Sequence, residues 1–83
     1  MGILLSMIIG GLFGACIGAI LGISEVRKQL QKDDAFYGEV TRVQPKTVTI
    51  KEIDEEGDVM QQVRLKSDEG ISDDLYKGQI IFA

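Results

Sequence analysis

Hydrophobic and polar positions divide this chain into two parts that follow different rules. Residues 3–23, ILLSMIIGGLFGACIGAILGI, carry no charge, and the first charged side chain is Glu25. As a helix rising about 1.5 Å per residue, such a run matches the roughly 30 Å of hydrocarbon in a bilayer. The pattern therefore predicts an N-terminal transmembrane helix. Its Ile, Leu and Phe side chains, at about −0.3 to −0.6 kcal/mol each, favour insertion.

Residues 24–34, SEVRKQLQKDD, are polar and rich in good helix formers, so the helix is expected to leave the bilayer as a juxtamembrane extension. Val26 and Leu30, four apart, make a short apolar seam in what otherwise reads as a solvated spacer. From Ala35 the period shortens to two. FYGEVTRV (36–43), TVTIKEI (47–53) and VMQQVRL (59–65) read as three strands. Pro45 marks the first turn, because it has no N–H for a central ladder, and Gly57 in DEEGD supplies a positive φ for a hairpin.

Alternation puts Val48 and Ile50 on one side of the second strand and Val59, Val63 and Leu65 on one side of the third, with Gln61 between them. With Val40 and Ile80 these are the predicted core. SDEGISDDLYKG (67–78) reads as a loop or a single helical turn, and QIIF (79–82) as a last short strand. The expectation is an α+β membrane protein: residues 1–34 a transmembrane helix with its extension, residues 35–83 a small antiparallel β-barrel or sandwich, SH3-like or OB-like.

Glycine changes the picture of the first part. Gly10, Gly14, Gly18 and Gly22 recur every four residues, with Gly11, Ala15 and Ala19 as a second small row beside them. On a helix these rows share a flat face that admits close backbone approach, which drives helix association in lipid. The arrangement resembles a glycine zipper and implies packing and oligomerisation through those seven residues. The partner is a second copy, forming a ring, or a second membrane protein. Arg27, Lys28 and Lys32 flank the run on its carboxyl side, so the positive-inside rule places the β-domain in the cytoplasm. No basic residue precedes the run, as a cleaved signal peptide requires, and Phe13 is a poor fit for a lipoprotein site at Cys16.

At 83 residues the chain holds one small domain plus an extra element. Its formal net charge of −4 argues against nucleic acid as a partner. There is no histidine, Cys16 is the single cysteine, and Ser6, Ser24, Ser67 and Ser72 have no base to activate them, so neither an enzyme nor a disulfide framework is expected. Acidic clusters at residues 54–58 and 68–74 lack Ca²⁺-loop spacing, so no metal and no cofactor is expected. Phe36, Tyr37 and Tyr76, at or near strand starts, are expected in the core.

A small-residue helix followed by YGEVTRVQPKTVTIKEIDEEGDV (37–59) resembles the pore helix and middle β-domain of small-conductance mechanosensitive channels. That resemblance implies a ring of chains around a conducting path. The expected function is a homo-oligomeric single-pass membrane protein forming a pore with a cytoplasmic β-collar. The alternative is a membrane-anchored interaction module that recruits or regulates a larger membrane partner.

Overall fold

The computed structural model describes residues 12–83, and residues 1–11 lie outside the description. Within it, β1 (Leu12–Ile17) is followed by α1 (Ile23–Lys32), β2 (Tyr37–Val43), β3 (Thr47–Ile53), β4 (Val59–Ser67) and β5 (Ile80–Phe82). They build one five-stranded sheet in the order β1-β4-β3-β2-β5. β2, β3 and β4 form an antiparallel meander and β5 adds antiparallel to β2, whereas β1 joins β4 in parallel.

The uncharged run is thus not a transmembrane helix where the structure describes it. Leu12–Ile17 is a strand in register with residues 62–67, and no helix among the described residues is long and apolar enough to cross a membrane. α1 begins only at Ile23 and has ten residues, about 15 Å, half a bilayer. The physical reason lies in the glycines, each costing a helix interior about 1 kcal/mol relative to alanine, while β4 offers a hydrogen-bonding edge. The glycine zipper goes with the helix. Gly14 and Ala15 lie in β1, Gly18 and Ala19 in the turn after it, and Gly22 at the N-cap of α1; Gly10 and Gly11 fall outside the described residues. Without a membrane helix among the described residues, Arg27, Lys28 and Lys32 do not flank a span there, and the single-pass, cytoplasmic-domain topology loses its basis. The channel, too, lacks its pore helix among these residues. The architecture of the described residues is mostly β with one short helix, not a membrane helix plus an antiparallel barrel.

Several local devices fix α1 in place. Gly22 is buried against Ser72, where a Cβ would lie 3.3 Å from the serine Cβ, and its N–H donates to Glu25 Oε1 at 3.0 Å. Buried Leu21 is tied on both sides, its N–H to the Gly70 carbonyl and its carbonyl to the Ser72 N–H. At the other end Asp34 adopts φ 60°, the left-handed conformation that lets the Ala35 N–H return to the Leu30 carbonyl.

The core lies between α1 and one face of the sheet. Val26 and Leu30 are fully buried there with Val40, Val48, Ile50, Val63 and Leu65, so the apolar pair of the supposed spacer is part of the domain's interior. Val59 is half-buried, and Ile80 points outward while Ile81 enters the core. Gly38 is the point of closest approach. A Cβ there would stand 2.7 Å from Ile50 Cγ2 and 2.8 Å from Leu30 Cδ2. Gly38→Ala is expected to lower unfolding free energy by about 1–3 kcal/mol through overpacking, read from the urea midpoint. An unchanged midpoint would mean that α1 does not press on β2.

Candidate functional site

Three places carry chemistry that the core does not need. The first is under the carboxyl end of α1. Period two along β3 puts Glu52 in phase with Val48 and Ile50, so its carboxyl is fully buried on the core face. Gln61, its cross-strand partner on β4, donates from Nε2 to Oε1 at 2.6 Å, while Oε2 is buried without a hydrogen bond of good geometry. Asp33, the C-cap residue of α1, is the other acid at this site and accepts from Gln29 Nε2 at 2.8 Å. Burial pushes the Glu52 carboxyl up to about 8; the Asp33 carboxyl pushes it the same way, and the Gln61 amide opposes them. At neutral pH Glu52 therefore holds a proton and can donate it in a hydrogen bond to Asp33.

The second place is the opposite face of the sheet. The side chains of β2, β3 and β4 that point away from the core are mostly polar, and the register shifts between Val40 and Arg42. This bulge sets two residues of β2 against Thr49 and turns both Thr41 and Arg42 into one cleft of about 290 Å³, shared with Thr49, Gln62 and Arg64. Thr41 Oγ1 donates to the Thr49 carbonyl at 3.2 Å. Beyond Arg64 a second cleft runs past Gly14 and Lys66, open because Gly14 has no side chain to fill it. Glu39, the one acid of β2, pairs with Lys51 at 3.5 Å, the only ion pair among the described residues.

The third is the β5 edge. Phe36, Tyr37 and Phe82 form an aromatic cluster with ring centroids 5.6–6.1 Å apart. Phe36 is 46 % exposed and Tyr76 61 %, so these two are not the core residues expected from their positions; Tyr37 is half-buried, and Phe82 is 56 % exposed. Because Ile81 faces β2, the flanking Ile80 and Phe82 turn their backbone groups outward. Arg27 Nε takes the Phe82 carbonyl at 3.2 Å.

No family model, curated protein or solved structure matches this chain.

The expected oligomerisation residues are scattered rather than gathered: Gly14 lines a cleft on the open face, while Gly18 and Ala19 share another, of about 460 Å³, with Lys28 and Lys32. Sequence reasoning missed Glu52, although the same alternation that selected Val48 and Ile50 selects it, with Gln61 opposite. It also missed Arg42 and Arg64. Their convergence depends on a bulge that TRV does not announce.

Proposed function

We propose that this chain is a binding module that acts by self-association, with a second copy adding across β5. The observation that carries this reading is the uncharged, partly exposed outer side of β5, a short edge strand whose Phe82 carbonyl is taken by Arg27 and whose Ile80 backbone groups are not. Residues 79–83 contain no charge, whereas exposed edges are commonly blunted by lysine, proline or inward charges. Ile80 is 47 % exposed, and Tyr76 and Phe82, on either side of it in the sequence, are exposed as well. A two-fold axis at Ile80 lets each copy exchange an N–H···O=C pair with the other, brings apolar surface onto apolar surface, and sets no like charges face to face within the strand. The Arg27 hydrogen bond to Phe82 leaves the Ile80 backbone groups available.

The test is the mass of the full chain across a wide concentration range, by sedimentation or light scattering. The native chain should associate, and Ile80→Lys, which places a charge against its own copy, should be monomeric throughout. A native chain that stays monomeric, or an Ile80→Lys chain that associates equally well, would remove self-association through this edge.

A further inference from the structure

We propose that the cleft between Arg42 and Arg64 is an oxyanion site that takes a phosphate monoester. Register places these residues in one row across three strands: Arg42 opposes Thr49 on β3, and Thr49 opposes Arg64 on β4. Neighbouring strands lie about 4.8 Å apart, so the two arginine Cα atoms are about 10 Å apart, a span that two long side chains close over one anion between them. The row is a product of the bulge, since a regular β2 would present only one of Thr41 and Arg42 to this face.

Charge in this region is segregated. The chain has formal net charge −4, yet the open faces of β2, β3 and β4 carry Arg42, Lys51, Arg64 and Lys66 against the single acid Glu39. Lys51 neutralises Glu39. Neither Arg42 nor Arg64 has an acidic partner among the described residues, and two guanidinium groups lining one cleft repel each other until an anion joins them. The lining adds the Thr49 hydroxyl and the Gln62 amide, both able to donate to oxygen, while the Thr41 hydroxyl proton is already given to the Thr49 carbonyl.

The donor set selects the class of ligand. Two guanidinium forks present parallel N–H pairs that match terminal phosphate oxygens. A monoester dianion offers three such oxygens and nearly two charges, enough to answer both arginines. A diester offers two oxygens and one charge and leaves one guanidinium uncompensated. The cleft, at about 290 Å³, exceeds a bare phosphate and leaves room for the group that carries it.

The experiment is a titration of the full chain, followed by NMR shifts of arginine side-chain and backbone N–H signals. The probes are inorganic phosphate, phenyl phosphate and dimethyl phosphate, with chloride as control at matched ionic strength. Phosphate and phenyl phosphate should shift Arg42, Thr49 and Arg64 selectively. Arg42→Gln and Arg64→Gln should each weaken binding by about tenfold or more, and Lys77→Gln should not. Shifts reproduced by chloride, or arginine variants that bind as tightly as the native chain, would overturn the site. Dimethyl phosphate binding as tightly as phenyl phosphate would overturn the monoester assignment, because the cleft would then accept a nucleic-acid backbone equally well.

Discussion

Glu52→Gln is expected to stabilise the protein strongly at pH 8 and hardly at all at pH 4. In the unfolded chain this carboxyl ionises near its ordinary 4.5, and in the fold it keeps its proton up to about 8. Between those values the native state binds more protons than the unfolded state, so stability falls as pH rises. Below 4.5 both states are protonated and the penalty vanishes. Above 8 both are ionised and it is complete. At about 1.4 kcal/mol per pH unit the window sets a ceiling of about 5 kcal/mol, which is large for a domain of this size. Glutamine keeps the shape and the bonds: its carbonyl accepts from Gln61 and its amide donates toward Asp33. Urea midpoints at pH 5 and pH 8 check the idea. The native chain should lose stability between them and the variant should lose much less; two parallel profiles would mean that Glu52 is not a buried acid.

Leu30→Ala is the second large effect, expected to cost about 2–5 kcal/mol. Leu30 is 1 % exposed, touches the space over Gly38 and belongs to the same cluster as Val40, Ile50 and Leu65. Lys28→Ala, two residues away on the exposed side of the helix, should change stability by no more than about 0.5 kcal/mol. Thermal denaturation of the two variants separates a docked helix from a solvated spacer, because a spacer would make them alike.

The legible parts of this fold are those where the hydrophobic period was unambiguous. TVTIKEI alternates between punctuating turns, so β3 appears at residues 47–53 as read, and β2 and β4 differ from the reading by one or two residues at an end. An apolar run without alternation offers no such guide, since buried strand and membrane helix share it. In residues 3–23 length and glycine spacing favoured a helix, while the structure pairs Leu12–Ile17 with β4. Val26 and Leu30 were legible as a seam, but not what they pack on. Aromatics at strand starts marked the strands correctly and their exposure wrongly, because β5 is an edge and its outer side is uncovered.

The parallel pairing of β1 with β4 has a consequence for how the molecule assembles. β2, β3 and β4 are sequential neighbours joined by short turns, so their ladders close small loops at low entropic cost. β1 meets β4 only after α1 and the whole meander have been traversed, and among the described residues it gains a ladder on one side alone. High contact order and a single bonded flank make it a late-forming and early-opening unit. Each time β1 lifts away, the outer backbone of β4 is bared as a vacant template, and the kinetics of that opening set how long the chain is exposed to strand exchange with its neighbours.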